Sequence, residues 1–110
     1  MKPKSRKAKG RRLQQQVAEL IQQRFGLPEA DVQSIPMGTP GLDIQLSTTA
    51  RQVFPFGVEC KAHQRLDLWK ALAQAEHNAG NLVPLVVSKK NRSQIYCTLP
   101  FEALLGLLKG

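Results

Sequence analysis

The alternation of apolar and polar residues divides the chain into helices and strands. From about Gly10 to Phe25, apolar residues recur every three or four positions, which is the spacing of an amphipathic helix. The apolar stripe of this first helix consists of Leu13, Val17, Leu20, Ile21 and Phe25. The segment Gly26-Leu27-Pro28 ends the helix, because glycine and proline both interrupt helical hydrogen bonding.

Five later segments have the pattern of strands, and two have the pattern of helices. The predicted strands are 32–36, 42–47, 54–61, 82–88 and 93–99, with 48–52 as a plain connection. A second helix is predicted over 66–80, with Asp67 as its N-cap and Gly80 as its stop, and Pro100 begins a terminal helix. This order predicts an α/β fold in which a central mixed β-sheet is flanked by α-helices.

Charge is concentrated at the start of the chain. Of the net charge of +8, residues 1–12 supply +7, with no acidic residue among them. The remaining chain has nine basic and eight acidic residues and is almost neutral. We therefore predict a flexible basic arm over 1–9, followed by one domain over 10–110. A basic arm on a neutral body favours attraction to a polyanion, most simply nucleic acid, although a solubilising tail has the same composition.

The apolar segments are too short for a membrane span. The basic start is also not followed by the hydrophobic stretch of a signal peptide. These features predict a soluble cytoplasmic protein without a membrane partner.

The third predicted strand, FPFGVECKA over 54–62, places two charges inside an apolar pattern. Residues two apart share a face of a strand, so Glu59 and Lys61 project together, opposite Cys60. Asp43 follows a loop rich in glycine and proline, and it comes near Glu59 if its strand pairs with this one as a hairpin. Two converging carboxylates, with the backbone carbonyl of Cys60, predict a site for Mg²⁺, for which Mn²⁺ can substitute. A lysine beside a metal-activated water suits phosphodiester hydrolysis.

One pattern in the chain resembles the active-site motif of the PD-(D/E)XK nuclease superfamily. It consists of Asp43, a gap of fifteen residues and then Glu59-Cys60-Lys61. Leu42-Asp43 stands where that family has Pro-Asp. The order of elements is similar to that of archaeal Holliday junction resolvases and related small phage nucleases, over nearly the whole chain after the arm. The resemblance implies a restriction-endonuclease-like fold and a Mg²⁺-dependent endonuclease that acts in the cytoplasm, or in the host cytoplasm if the chain is phage-encoded.

The resemblance also assigns residues outside the three-residue motif. Gln74, in the second helix, corresponds to an active-site neighbour that helps to hold the lysine or the attacking water. Ser34 corresponds to a serine that binds a phosphate near the cleaved bond. The resolvases complete their metal site with a glutamate in the first helix. Here Gln14 and Glu19 compete for that position, and Gln14 is preferred because it flanks the apolar stripe whereas Glu19 lies opposite it.

Basic residues and a glycine loop supply the predicted DNA contacts. The predicted DNA-binding residues are Lys7, Lys9, Arg11, Arg12, Ser34, Gly38, Lys89, Lys90 and Arg92. The glycine loop and the basic turn at 89–92 also have an alternative interpretation as ordinary turns. Symmetric cutting of a four-way junction requires two active sites, which predicts a homodimer, and the apolar terminal helix is a candidate interface.

Three classes of function are compatible with the sequence. The preferred one is an endonuclease for Holliday junctions, with phage-type cleavage of other branched or double-stranded DNA as the runner-up. A non-catalytic DNA-binding module of the same fold is the second class. The third is a basic structural protein in which Glu59 and Lys61 form a simple ion pair. This third class leaves Asp43 and Gln74 unexplained.

Overall fold

The computed structural model describes residues 3–110, with side chains from Arg6 onward. The helices are α1 (Pro3–Phe25), α2 (Thr48–Val53), α3 (Leu68–Ala79) and α4 (Phe101–Lys109), with a 3₁₀ turn at Glu29–Asp31. The strands are β1 (Val32–Ser34), β2 (Ile44–Leu46), β3 (Phe56–Lys61), β4 (Val83–Ser88) and β5 (Tyr96–Thr98). The predicted α/β class is confirmed. No helix in this described part of the chain is long and apolar enough to cross a membrane.

The strands form two small sheets. β1 and β2 pair antiparallel, whereas β3 pairs parallel with β4, and β4 pairs antiparallel with β5. The second sheet is therefore mixed, as predicted. The two sheets meet where the Asp43 N–H donates to the Val58 carbonyl at 3.1 Å.

Segments 42–47 and 54–61 do not pair as a hairpin, which was the condition given for the approach of Asp43 to Glu59. The segment between them, predicted as a plain connection, contains helix α2. Ser47 starts that helix, because its side-chain oxygen accepts from the Ala50 N–H at 3.1 Å. β2 pairs with β1, the strand that precedes it in the chain. Helix α2 then connects β2 to β3, which pairs with β4.

β3 lies between two different packing environments. On the side of α1, Phe56 and Val58 belong to the main core, with Leu13 and Val17 from the helix. On the other side, α3 packs through the buried alanines Ala71, Ala75 and Ala79. Gly57 faces this helix so closely that an added Cβ would lie 2.7 Å from the Cβ of Ala79. Strand β3 is therefore held by large side chains on its α1 face and by close approach of small residues at Gly57 on the other. On the same side as α3, Val86 of β4 packs with Leu66, Leu68 and Leu72 in a second apolar cluster.

The first helix begins earlier than predicted and includes most of the predicted basic arm over 1–9. Helix α1 begins at Pro3, well before the predicted start at Gly10, so Arg6, Lys7 and Lys9 lie on a helix that continues into the domain. Residues 1 and 2 of that arm lie outside the described residues. Lysine and arginine have good helix propensity, which allows the turns formed by 11–25 to extend toward the N-terminus.

Exposed apolar residues occur at both ends of the chain. Leu20 and Phe25, predicted to be buried in α1, are 49% and 42% exposed. The terminal helix α4 is present as predicted, but none of its residues is buried. Its exposed large apolar residues are Phe101, Leu104, Leu105, Leu107 and Leu108.

Candidate active site

The residue just before β2 and the C-terminal half of β3 bring together the residues of the predicted motif. Asp43 is held at two points, because its N–H donates to the Val58 carbonyl and its Oδ2 accepts from the Cys60 N–H at 2.7 Å. Glu59 and Lys61 face α3 from alternate positions of β3, whereas Cys60 packs against the main core on the opposite face. The strand geometry therefore places both carboxylates beside each other without the predicted hairpin.

Glu59 is a buried carboxyl group, only 1% exposed. Burial raises its pKa above the ordinary value, and the charge of the neighbouring Asp43 carboxylate raises it further. Asn78 opposes this shift by donating from Nδ2 to Glu59 Oε1 at 2.8 Å. The carboxyl group is thus placed where a bound cation would favour its charged form.

Asn78 was not identified from the sequence. Its amide also approaches the carbonyl of Gly41 in the loop before β2, at 3.4 Å. Asn78 lies four positions after Gln74 and so shares a face of α3 with it. The four-residue spacing from Gln74 is the sequence feature that indicates a role for Asn78 in the site. It becomes informative only once α3 is known to lie close to β3.

Lys61 and Gln74 form the pair that the resemblance implies. The Nζ of Lys61 donates to Gln74 Oε1 at 2.9 Å. Both residues line the same cavity as Asp43 and Glu59. A glutamine acceptor leaves the lysine charged and fixes the direction of its ammonium group without neutralising it.

Gln14 is buried at 4% exposure and also lines the cavity, whereas Glu19 is exposed on α1. Ser34 donates from its hydroxyl to Gln14 Oε1 at 3.2 Å. The structure therefore places Ser34 beside the buried amide, outside the cavity lining, where it orients Gln14. Of the two candidates in the first helix, only Gln14 reaches the site.

The cavity that contains these groups has a volume of about 810 Å³. Its walls come from the N-terminal half of α1, the loop before β2, the end of β3 and helix α3. Gly38 and Gly41 shape the loop, since both adopt positive φ angles, 85° and 98°, that other residues rarely adopt. Arg6, Lys9 and Arg65 add positive charge to the rim. The cavity thus combines a carboxylate floor with a basic edge.

The backbone carbonyl of Cys60 points toward the Asp43 side of β3. The carbonyls of Pro55 and Lys61, at the two ends of the strand, accept from N–H groups on the β4 side. Carbonyls alternate in direction along a strand, so those of Val58 and Cys60 face the other edge, and Val58 indeed accepts there from Asp43. This edge therefore presents a backbone oxygen beside the two carboxylates.

The donor set fits a hard divalent cation. It consists of the carboxylates of Asp43 and Glu59, the carbonyl of Cys60 and the amide oxygen of Gln14, and Mg²⁺ prefers such oxygen ligands together with several waters. Within residues 3–110, no group of three or more His, Cys, Asp or Glu side chains is placed to hold a metal ion. The Cys60 thiol is also no ligand, because burial and the nearby carboxylates raise its pKa and keep it protonated. A metal that needs thiolate or imidazole ligands does not fit.

The predicted DNA-binding residues other than Ser34 lie at the large cavity, at a second cavity beside it, or at neither, and Lys9 lines both cavities. Lys9 and Gly38 line the large cavity. Lys9 and Arg12 on α1, with Lys89, Lys90 and Arg92 of the turn between β4 and β5, line a second cavity beside it. Lys7 and Arg11 are exposed on α1 and line neither.

Comparison of the chain with protein-family models, with curated proteins and with solved structures found no match. Function is therefore inferred from the geometry of the site itself.

Proposed function

We propose that this protein is a Mg²⁺-dependent DNA endonuclease of the PD-(D/E)XK type, and most specifically a Holliday junction resolvase. The observation that supports it best is the convergence of Asp43, Glu59 and Lys61 on one cavity with a basic rim. A structural ion pair between Glu59 and Lys61 is not favoured, because Lys61 bonds to Gln74 and Glu59 bonds to Asn78.

In this proposal Asp43 and Glu59 hold the cation, with the Cys60 carbonyl and Gln14 as further oxygen ligands. When bound, Mg²⁺ supplies Lewis-acid stabilisation of the charge that develops on the phosphate. Asp43 is positioned for this role by the Cys60 N–H, which donates to its Oδ2. Its side chain also lies within hydrogen-bonding reach of Glu59, which brings the two carboxyl groups together. The neutral amide of Gln14, in place of a carboxylate, makes the site less negative and the affinity for the ion lower.

Lys61 orients the attacking water through its ammonium group, and Gln74 positions Lys61. The Nζ–Oε1 bond of 2.9 Å fixes the ammonium group at the wall of the cavity that also contains Asp43 and Glu59. An ammonium group near the carboxylates also stabilises negative charge on the phosphate oxygens.

The proposed substrate is a four-way DNA junction, with other branched or double-stranded DNA as the runner-up. Cutting a junction in two symmetric positions requires a two-fold dimer. Helix α4 supports such a dimer, because Phe101, Leu104 and Leu108 are exposed at helical spacing. In an antiparallel pair of these helices, Glu102 of one copy would lie near Lys109 of the other. The face is thus complementary to itself in both polarity and charge.

The decisive experiment is cleavage of a labelled four-way junction and of a matched linear duplex, with Mg²⁺ and with EDTA. Wild type should place paired nicks in the junction only with Mg²⁺, whereas Glu59→Gln should lose about 1,000-fold or more in rate, because it removes a charged ligand from the reaction site. Glu76→Gln, an exposed carboxylate on α3 outside the cavity, is the matched control and should cut like wild type.

The other outcomes separate the alternatives. Cutting of both substrates would retain the nuclease and reject the junction preference. Binding of DNA without cutting, unchanged by Glu59→Gln, would overturn the catalytic role and support a DNA-binding module. Equal loss in Glu59→Gln and Glu76→Gln would show that overall charge, not the site, controls the rate.

A further inference from the structure

The second cavity lies between α1 and the turn that joins β4 to β5. It has a volume of about 120 Å³, and five of its nine lining residues are cationic. These are Lys9 and Arg12 from α1 and Lys89, Lys90 and Arg92 from the turn. Lys9 and Arg12 are three positions apart, so one face of the helix presents both.

The charge of this cavity differs from that of its larger neighbour. No aspartate or glutamate is found among its lining residues within 3–110, whereas the larger cavity contains Asp43 and Glu59. The cavity is smaller than its neighbour, and its charge suits a single anionic group such as a phosphate. Five cationic residues around one small space repel one another, and an anion between them reduces that repulsion. One of the five, Lys89, also donates from Nζ to the Lys90 carbonyl at 3.3 Å.

The turn that supplies three of these cations is held in a fixed conformation. The Asn91 N–H donates to Gln64 Oε1, on the loop after β3, at 2.7 Å. Lys90 and Ser93 bond to each other twice, from the Lys90 N–H to the serine oxygen and from the Ser93 N–H to the Lys90 carbonyl, each at 3.1 Å. The basic turn is thus ordered before any ligand arrives.

Arg92 carries a further sign of constraint. Its φ is 64°, which makes it the one residue other than glycine with a positive φ in the described part of the chain. This left-handed conformation costs about 1 kcal/mol or more for a residue with a side chain, and such outliers concentrate at binding and active sites. A glycine or asparagine would adopt the turn more easily, but neither would place a guanidinium at the cavity.

The two cavities adjoin each other. Lys9, Ala62 and Asn91 line both. The backbone also connects them, because the Lys89 N–H donates to the carbonyl of Lys61 at 3.1 Å, which continues the β3–β4 pairing into the basic turn. A ligand with regularly spaced phosphates, such as a polynucleotide backbone, can therefore occupy both cavities at once.

We propose that the cavity formed by Lys9, Arg12, Lys89, Lys90 and Arg92 binds a backbone phosphate of the polynucleotide other than the phosphate that is cut. The assignment of the neighbouring phosphate as the one cut depends on the proposed function. Gln64 is the positioning residue of this subsite, since it holds the turn without contacting the phosphate. The substrate class is then a polynucleotide strand and not a free nucleotide.

The test measures binding of a short labelled duplex in EDTA, so that no cleavage occurs, as a function of salt concentration. The variant Lys90→Ala/Arg92→Ala should bind about tenfold more weakly at low salt. The slope of log K against log salt should also become shallower by about 0.9, because one phosphate contact and its counterion release are lost. The control Arg24→Ala/Lys70→Ala removes the same charge from exposed positions outside both cavities and should keep the wild-type slope.

Gln64→Ala provides a second variant that changes no charge. It should weaken binding severalfold, because the turn loses its bond to the loop after β3, and unfolding curves should show that the domain remains folded. Equal effects of the two double variants, or no change in slope with Lys90→Ala/Arg92→Ala, would overturn the subsite. Loss of cleavage in Glu59→Gln tests the other cavity alone, so a failure of the proposed chemistry and a failure of this subsite are distinguishable.

Discussion

The two faces of strand β3 show how one element serves both stability and a polar site. Toward α1 it presents Phe56 and Val58, and Val58 has no exposed surface. Toward α3 it presents Gly57, Glu59 and Lys61, of which Gly57 has no side chain and the other two are charged. Burial of apolar area on the first face stabilises the strand by about 25 cal/mol per Å². The second face of β3 buries little apolar area and so contributes little stabilisation of this type. It instead presents the charged residues of the candidate site.

The difference shows how a buried carboxylate is tolerated in a domain of this size. A buried charge without a partner is costly, and Glu59 has Asn78 as its hydrogen-bond donor. Small residues on α3 allow that donor to reach the strand. Substitutions on the two faces should therefore have different signatures.

The largest loss of stability is expected where the two layers are closest. Gly57→Val should lower the free energy of unfolding by about 3 kcal/mol, because overpacking at a backbone contact forces the layers apart. An added Cβ would lie 2.9 Å from the Cα of Ala79, a backbone atom that cannot turn aside. Urea unfolding followed by circular dichroism measures the loss.

Gly106→Val on α4 is the control for this substitution. No atom lies within 4 Å of the corresponding Cβ position, and the residue is exposed. It should change the free energy of unfolding little, and a similar loss in both variants would contradict close approach as the cause.

On the opposite face, Val58→Ala should lower the free energy of unfolding by about 2 kcal/mol. Two buried methyl groups are removed, and the cavity they leave adds to the lost transfer energy. Val53→Ala is a matched control, since Val53 is 49% exposed at the end of α2. If Val58→Ala costs no more than Val53→Ala in urea unfolding, the first face is not the main source of stability.

The smallest effect on stability is expected for Glu59→Gln, and it has the opposite sign. The pKa of Glu59 is raised by burial and by Asp43, so the native state retains a proton that the unfolded state has released once pH exceeds the ordinary value of 4.5. The contribution of this group is fully present below that value and is lost as pH rises through the raised pKa. Without metal, the variant should therefore be more stable than wild type at neutral pH and equal to it in acid.

Thermal unfolding in EDTA from acid to neutral pH measures this difference. Addition of Mg²⁺ should then raise the melting temperature of wild type, and of Glu59→Gln much less, because an ion that binds only the folded state stabilises it. A variant that is less stable than wild type at neutral pH in EDTA would show that its neighbours favour the charged carboxylate.

Much of the fold follows from local patterns, and the differences arise where tertiary context decides. The helices and strands were predictable because their periodicity depends only on which face is buried. Helix α2 was not, because a helix of this length has no periodicity to detect and depends on the Ser47 cap. The division into two sheets was also not predictable, since strand partners are chosen by packing and not by sequence pattern.

The candidate site was predictable to a similar extent. Alternation along a strand places Glu59 and Lys61 on one face, and the structure brings Asp43, Gln14 and Gln74 to the same cavity. Asn78 was missed, because an asparagine near a helix end has many ordinary roles. Its function depends on the separation of α3 from β3, which Gly57 and the alanines of the helix determine.

The basic start of α1 has a consequence for the helix itself. Its first turn contains no acidic residue, so cations accumulate at the end of the helix where the macrodipole is positive. Each unfavourable contact between a cation and the helix dipole destabilises the helix by about 0.3–1 kcal/mol. Repulsion between the like charges of Lys7 and Arg11, which are four positions apart, destabilises it by a further ~0.2–0.5 kcal/mol. A polyanion that neutralises these charges removes the repulsion. Anion binding and formation of the first turns of α1 are therefore thermodynamically linked, and each strengthens the other.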